Sequence, residues 1–274
     1  MSSPRARGVS EARGVQNSMS RDDLEYVGLE RGTLEGDTVG NHNTVAAFDF
    51  DGTLTKGDSV VKFLVCLRGR ARVAKSILLL FPLLILSGID GDRYADTFKQ
   101  RLFAKTIGGM TMDELLAAGE RFGKMHLGSR ARSTVLKRLE WHRDLGHSVV
   151  IVSASPECYI EPVARLLGAE YAIATKFSVD ESGRVDGSFQ GSNCRGIEKA
   201  RRLREWIDQH SGSNGQVVLW AYGNSLGDKD MLSMADTGIN VGRLGRMGRL
   251  RRFSRLGSVM ERVDQSRLER TRRY

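Results

Sequence analysis

The chain has 274 residues, of which 40% are hydrophobic and 27% are charged. This is enough apolar material for one large domain that carries an inserted segment. Its three cysteines, Cys66, Cys158 and Cys194, are scattered along the chain, so they indicate neither a disulfide framework nor a zinc site and favour a cytoplasmic protein. The N-terminal residues contain no apolar run, and we therefore expect no signal peptide there.

The net charge of +9 is unevenly distributed along the chain. Residues 241–274 contain eleven arginines and three acidic residues, which leaves a net charge of only +1 on the rest of the chain. The simplest interpretation of this basic tail (243–274) is a solvated, disordered segment. Contact with an anionic membrane is the second interpretation. Binding to nucleic acid ranks last, because no recognised nucleic-acid-binding fold accompanies the tail.

The order of predicted elements indicates an α/β protein. Residues 1–42 are polar and lack apolar periodicity, so they predict a disordered leader. Short apolar runs then predict buried parallel strands, and helical patterns lie between them. The strands are expected at 44–50, 147–155, 170–177, 215–224 and 237–242, the helices at 131–146, 156–168 and 196–210, and a hairpin at 178–191. This alternation predicts a Rossmann-like, doubly wound parallel sheet with helices on both faces.

One long segment, residues 57–130, interrupts the alternation and predicts an all-helical insert directly after the first strand. Within it, residues 76–89 form an apolar run of 14 residues, shorter than the roughly 20 residues of a transmembrane helix. We therefore expect a buried helix there. The basic stretch 68–75 that precedes it also suits a membrane surface, and a lipid phosphate would then be a suitable substrate.

Two carboxylates lie where the first predicted strand ends, Asp49 and Asp51 in the stretch AAFDFDGTLT. Ligands of open α/β sheets bind at the carboxyl ends of the strands. There, one carboxylate can act as a nucleophile toward phosphorus, and the other can act as a general acid and base. The pair also suits Mg²⁺, which prefers hard oxygen ligands. The alternative is an acidic turn that Gly52 completes.

Polar residues also follow two later strands. Ser153 lies near the end of the second predicted strand, where its hydroxyl and neighbouring N–H groups can hold phosphate oxygens. The alternative is that Ser153 or Ser155 caps the next helix. Both roles are also compatible, with Ser155 as the cap and Ser153 binding phosphate. Asn224, Ser225 and Asp228 form a polar cluster where the predicted strand 215–224 ends. The alternative for Asp228 is again a helix cap.

Lys199 lies in the first turn of the predicted helix 196–210. A cation is poorly placed there for the helix dipole, which suggests a partner elsewhere in the fold. A solvated lysine is the simpler alternative.

The stretches FDFDGTLT, VSAS, GIEKA and YGNSLGD occur in the order and spacing of the four motifs of the haloacid dehalogenase-like (HAD) phosphatases. The insert resembles the C1 cap of the phosphoserine-phosphatase-like branch, and the runs IVSASPE, GSNCRGIEK and AYGNSLGDKDML are similar to subfamily IB. The resemblance extends over residues 44–242. It implies an α/β core of residues 43–56 and 131–242 with a cap of residues 57–130.

The resemblance implies a Mg²⁺-dependent phosphatase that hydrolyses a phosphate monoester of a small metabolite or a lipid. Asp49 would form an aspartyl-phosphate, and Asp51 would serve as general acid and then as general base. The resemblance assigns phosphate binding to Gly52, Thr53, Ser153, Ala154 and Lys199, and metal binding to Asp49, Asp51, Asn224 and Asp228. Transfer of the phosphoryl group to an acceptor other than water is a third hypothesis.

One position departs from the family pattern, because the family usually has Asp where this chain has Asn224. The site therefore has one negative charge fewer, and we expect a weaker affinity for Mg²⁺, with Asp228 contributing more to metal binding. This departure also favours the alternative of a catalytically weakened regulatory protein or membrane-surface binding protein, located at the inner face of the membrane.

Overall fold

The computed structural model describes residues 44–83, 85, 91–210, 217–242 and 253–256. The predicted leader and most of the basic tail lie outside the described residues.

A parallel sheet forms the centre of the described fold. The strands are β1 (Thr44–Phe48), β2 (Ser148–Pro156), β3 (Tyr171–Thr175), β4 (Phe177–Val179), β5 (Val185–Phe189), β6 (Val218–Gly223), β7 (Thr237–Asn240) and β8 (Ser254–Arg255). The sheet has the order β3-β2-β1-β6-β7-β8, and all its neighbouring strands pair in parallel. β4 and β5 form a separate antiparallel hairpin. The five predicted strands and the predicted hairpin are thus confirmed.

Helices cover both faces of the sheet, as the sequence predicts. The helices are α1 (Val60–Arg68), α2 (Arg70–Leu79), α3 (Gly91–Ile107), α4 (Met112–Arg130), α5 (Ser133–Asp144), α6 (Glu157–Leu166), α7 (Ile197–His210) and α8 (Lys229–Met234). Successive side chains of β1 point to opposite faces. Ala46 and Phe48 join a buried cluster with residues of α1–α6, whereas Val45 and Ala47 join a second cluster with residues of α7 and α8.

Helices α1–α4 lie between β1 and α5 in the chain and form the predicted helical insert. The division of the chain at residues 57 and 130 remains a prediction. β1 is buried at every position, as expected for a central parallel strand with helices on both sides.

The apolar run at 76–89 differs from its prediction. Four large apolar side chains that we expected to be buried are exposed: Leu78, Leu79, Phe81 and Ile85, at 73%, 60%, 50% and 54%. The reason is that α2 buries only one face, through Val73 and Ser76, with Leu80 following at the end of the helix. Residues 84 and 86–90 of the run lie outside the described residues. Within the described part of the chain, no helix has the length and apolarity to cross a bilayer.

Candidate active site

The turn after β1 carries both predicted catalytic carboxylates. Asp49 N–H donates to the carbonyl of Tyr222 in β6 at 2.9 Å, which fixes the start of the turn against the neighbouring strand. Gly52 has φ +78°, and a Cβ at this position would lie 2.2 Å from Nδ2 of Asn224. Only glycine tolerates both the backbone conformation and this close approach. The acidic turn therefore exists, and it also forms part of a site.

Lys199 lies between two carboxylates in the protein interior. Its Nζ is 2.7 Å from Oδ1 of Asp49 and 2.6 Å from Oδ1 of Asp228. Only 2% of the Lys199 side chain is exposed, compared with 8% for Asp49 and 2% for Asp228. The alternative of a solvated lysine is therefore wrong. Buried charges need partners of opposite sign, and this cluster supplies them.

The cluster changes the acidity of its members in opposite directions. Burial and the neighbouring Asp228 carboxylate raise the pKa of Asp49, although the Lys199 ammonium opposes this change. Burial alone would also raise the pKa of Asp228, but Lys199 and the donors of Ser225 hold that pKa below its usual value. Asp228 is thus a stable anion that fixes the lysine, whereas Asp49 presents its carboxylate to the adjacent cavity.

Asp51 is oriented by two hydroxyl groups. Its Oδ2 accepts hydrogen bonds from Ser155 Oγ at 2.5 Å and from Ser59 Oγ at 2.9 Å, and the Ser59 hydroxyl also contacts Tyr159 OH at 2.9 Å. Its other oxygen, Oδ1, is buried without a protein partner. Burial raises the pKa of Asp51 to about 6. The carboxyl group is therefore suited to carry a proton near neutral pH.

The end of β2 brings Ser153 to the same edge of the sheet. Its Oγ accepts a hydrogen bond from the Ser155 N–H at 3.1 Å, and the residue lines the cavity. The capping interpretation of Ser155 is wrong, because its hydroxyl donates to Asp51 and the N-cap of α6 is Pro156, without a side-chain bond.

A half-buried lysine of the insert, Lys99, reaches the same loop. Its Nζ donates to the carbonyl of Ala154 at 2.6 Å and to Oδ1 of Asn193 at 2.9 Å. Asn193 in turn donates to Asp96 of α3 at 2.6 Å. Burial lowers the pKa of Lys99 to about 8. The sequence analysis missed Lys99 and Asn193: a lone lysine in a helix carries no motif, and Asn193 lies in the run GSNCRGIEK without an assigned role.

The loop after β6 is braced by Asp228. Its Oδ2 accepts from the N–H of Asn224 at 3.0 Å and from the N–H and the hydroxyl of Ser225, both at 2.9 Å. Its Oδ1 is paired with Lys199, so both oxygens are engaged. The role of Asp228 as a metal ligand stays a prediction.

Three oxygen-bearing groups converge beside the nucleophile candidate. One terminal amide atom of Asn224 lies 2.8 Å from the main-chain oxygen of Asp51, and 3.1 Å from both Asp49 Oδ2 and Thr53 Oγ1. In the part of the chain that the structure describes, no group of three or more His, Cys, Asp or Glu side chains forms a metal site. The donors here are instead a carboxylate, a main-chain carbonyl and an amide, which are hard oxygen ligands of the kind that Mg²⁺ prefers. The residues therefore fit such an ion.

A cavity of about 650 Å³ opens onto these groups. Its volume lies within the range of about 300–1,000 Å³ that is usual for small-molecule sites. The core contributes Asp49, Asp51, Ser153, Lys199 and Asp228, and the insert contributes Val60, Ala95, Phe98, Lys99 and Leu102. The predicted catalytic residues and Ser153, Ala154 and Lys199 are thus brought together at one cavity.

The fold and this site define a protein of the α/β class that has its polar residues at the carboxyl ends of parallel strands, where ligands of such sheets bind. Residues 46–233 match the haloacid dehalogenase-like hydrolase family, and the chain belongs to that family. The family assignment made from the four motifs is therefore confirmed.

Two relatives support this assignment. Protein CicA of Caulobacter vibrioides is 34% identical over 198 residues, which cover 72% of this chain and 86% of that protein. A probable phosphatase of Mycobacterium tuberculosis is 30% identical over 207 residues, which cover 72% of this chain and 68% of that protein.

Solved structures share the fold at lower identity. A Bordetella pertussis protein of unknown function has a TM-score of 0.65 at 20% identity, covering 78% of this chain and 98% of that chain. A phosphoserine phosphatase, solved as a phospho-aspartyl intermediate analogue, has a TM-score of 0.51 at 16% identity, covering 73% of this chain and 86% of that chain.

Proposed function

We propose that the protein is a Mg²⁺-dependent phosphatase that hydrolyses a phosphate monoester through an aspartyl-phosphate on Asp49. The observation that carries this proposal is the buried contact of Asp49 with Lys199 at 2.7 Å, at the wall of a cavity that Asp51 and Ser153 also line. The names of relatives agree with it, since one is called a probable phosphatase.

In the first proposed step, an oxygen of Asp49 attacks phosphorus while the bond between phosphorus and the leaving oxygen breaks. Asp51 gives its proton to that leaving oxygen. In the second step, Asp51 takes a proton from water, the water oxygen bonds to phosphorus, and the bond to Asp49 breaks to release inorganic phosphate. The partnerless Oδ1 of Asp51 is the oxygen available for these proton transfers, because Oδ2 is held by Ser59 and Ser155.

The other groups position the phosphoryl group and neutralise negative charge. The Lys199 ammonium offsets the charge of Asp49 as the phosphoryl group approaches, and the Ser153 hydroxyl with the N–H group of Ala154 would hold phosphoryl oxygens. The predicted phosphate contacts of Gly52 and Thr53 stay predictions, because the Thr53 N–H donates to the carbonyl of Phe50 at 3.2 Å. Mg²⁺, held by the carboxylate of Asp49, the main-chain carbonyl of Asp51 and the amide of Asn224, would neutralise phosphate charge when bound.

The cavity suggests what the leaving group contains. Helices α1 and α3 of the insert contribute apolar side chains to its wall, among them Val60, Phe98 and Leu102. Lys99 adds a half-buried amine on the same wall. We infer a phosphorylated small molecule whose leaving group has an apolar part, and we keep both metabolite and lipid phosphates in this class. Assignment to subfamily IB is part of this proposal and is consistent with the fold shared with a phosphoserine phosphatase.

The test is hydrolysis of an aryl phosphate with Mg²⁺ by the wild type, by Asp49→Asn and by the control Asp208→Asn, whose site is exposed on α7. We expect turnover by the wild type and the control and none by Asp49→Asn. Comparison of glycerol 3-phosphate with its monoacyl form then separates a metabolite from a lipid substrate. Turnover by Asp49→Asn free of contaminating phosphatase would refute the aspartyl-phosphate.

A second candidate function is binding to an anionic membrane surface. The observation that favours it is the exposed apolar end of α2, Leu78 and Leu79, which follows the exposed basic residues Arg70, Arg72 and Lys75. Apolar and basic side chains on one surface helix suit an anionic bilayer.

This candidate predicts sedimentation with phosphatidylglycerol vesicles that falls in a Leu78→Ser/Leu79→Ser variant and again when residues 243–274 are removed. The control Leu166→Ser, at a site that is 46% exposed on α6, should bind as the wild type does. Unchanged binding of the double variant would exclude α2 from the contact. A non-catalytic protein would in addition hydrolyse no phosphate at high Mg²⁺.

A further inference from the structure

The side-chain amide of Asn224 faces an unusual set of neighbours. With its oxygen directed toward Asp49 and Asp51, this oxygen lies 2.8 Å from the carbonyl oxygen of Asp51 and 3.1 Å from Oδ2 of Asp49. Neither contact has a hydrogen between the oxygens, and only the Thr53 hydroxyl, at 3.1 Å, donates. In the same orientation, the NH₂ group at the other end of the amide would face only donors. This orientation therefore leaves two pairs of acceptors in repulsive contact.

Half a turn of the amide about its last side-chain bond removes both conflicts. The NH₂ group then lies 2.8 Å from the Asp51 carbonyl oxygen and 3.1 Å from Asp49 Oδ2 and Thr53 Oγ1. Its two hydrogens can serve the Asp51 carbonyl and the Asp49 carboxylate. The amide oxygen and nitrogen are nearly equal in size, so the turn needs no change in packing. Gly52, which has no Cβ to meet the other end of the amide, leaves the space for either orientation.

We propose that Asn224 is a two-state residue that turns its amide oxygen toward Asp49 and Asp51 when a divalent cation is bound and its NH₂ group toward them when it is not. The proposal rests on the proposed Mg²⁺ site but not on turnover. In the first state the cation would bind the oxygens of Asp49, Asp51 and Asn224. In the second state the two N–H groups of the Asn224 amide donate to the oxygens of Asp49 and Asp51.

An aspartate at this position has no such second state. Ionised, it offers only acceptors, so the metal-free site would hold two facing carboxylates beside the Asp51 carbonyl. In return, it would bind a cation more tightly, because the affinity of an oxygen site rises with the charge of its ligands. Asn224 thus exchanges part of the metal affinity for a metal-free site in which the Asp51 carbonyl and Oδ2 of Asp49 each have a donor.

The first test compares the wild type with Asn224→Asp and with Gln209→Glu, which adds the same charge at an exposed position of α7. Thermal unfolding in EDTA should give a lower Tm for Asn224→Asp than for the wild type and the control. Mn²⁺ binding, followed by electron paramagnetic resonance, should be about tenfold tighter in Asn224→Asp because of the added ligand charge. Equal Tm values in EDTA together with equal Mn²⁺ affinities would overturn the proposal.

The second test follows the wild-type protein and uses a variant of the metal site only to assign the signal. In ¹⁵N spectra of the wild type, one side-chain NH₂ pair, assigned by its absence in Asn224→Ala, should shift strongly on addition of Mg²⁺. If Mn²⁺ binds to the wild type while this pair does not respond to Mg²⁺, the amide does not turn and the proposal fails. Both tests measure binding, stability or spectra, so a protein that hydrolyses nothing can still confirm the proposal, and an active phosphatase can still refute it.

Discussion

Replacement of Lys199 by methionine tests the central charge cluster. Methionine keeps an unbranched chain of similar length but removes the ammonium group that lies 2.7 Å from Asp49 and 2.6 Å from Asp228. Two carboxylates then remain in the interior without a cation. Breaking a buried ion pair by removing one partner costs about 3–5 kcal/mol, because the remaining charge is left uncompensated. All three side chains of this cluster are buried, so we expect a loss of this size for Lys199→Met.

The expected loss is measured as the free energy of unfolding in urea. It corresponds to a fall in Tm of roughly 6–20 °C, since 1 kcal/mol shifts the Tm of a domain of 150–250 residues by about 2–4 °C. Aryl phosphate turnover should fall by about 100-fold or more, as when a group that stabilises transition-state charge is removed. Both losses arise from the same missing charge.

The matched control is Lys124→Met, because Lys124 has an ion pair of 2.8 Å with Glu120 but is 55% exposed. Solvent-exposed pairs contribute little, so the unfolding free energy of this variant should stay within error of the wild type. The variant Lys199→Met/Asp228→Asn completes a double-mutant cycle and should be more stable than the sum of the two single losses predicts. If Lys199→Met is no less stable than Lys124→Met, or if the cycle is additive, the cluster does not balance charge as we argue.

Three further predictions concern the surroundings of the site. Gly52→Ala should lose most of the proposed phosphatase activity and unfold at a lower temperature, because its Cβ would lie 2.2 Å from Asn224 Nδ2 at a φ of +78°; wild-type activity would show that the turn relaxes. Ser155→Ala should lower kcat about tenfold with little change in KM, because Asp51 loses a hydrogen bond of 2.5 Å that orients it; a change in KM alone would contradict this role. Burial lowers the pKa of His142 in the folded protein to about 2, from its usual value of 6.5. The unfolded state therefore binds more protons, and the stability due to neutral His142 is complete above pH 6.5 and is lost as the pH falls. The unfolding free energy should drop by up to about 1.4 kcal/mol per pH unit below that pH, and urea titrations of His142→Gln should show a shallower slope; an equal slope would exclude His142 as the cause.

The sequence by itself determined the sheet and the positions of the chemical groups. The apolar runs before Asp49, Ser153 and Asn224 predict buried strands, and all three are found at the same edge of the sheet. The strands could be predicted because parallel strands with helices on both faces need continuous apolar residues. The shared edge could be predicted because the carboxyl ends of parallel strands lie side by side. The four motifs also identified the family correctly.

The tertiary structure alone decided which groups meet. Lys199 and Asp49 are 150 positions apart in the chain, and Ser155 and Asp51 are 104 apart, so no local pattern specifies their contacts. The exposed leucines of α2 show the same limit, since an apolar run does not reveal which of its faces the insert covers. Propensity and periodicity describe neighbours within one element, whereas burial and side-chain pairing depend on how elements pack.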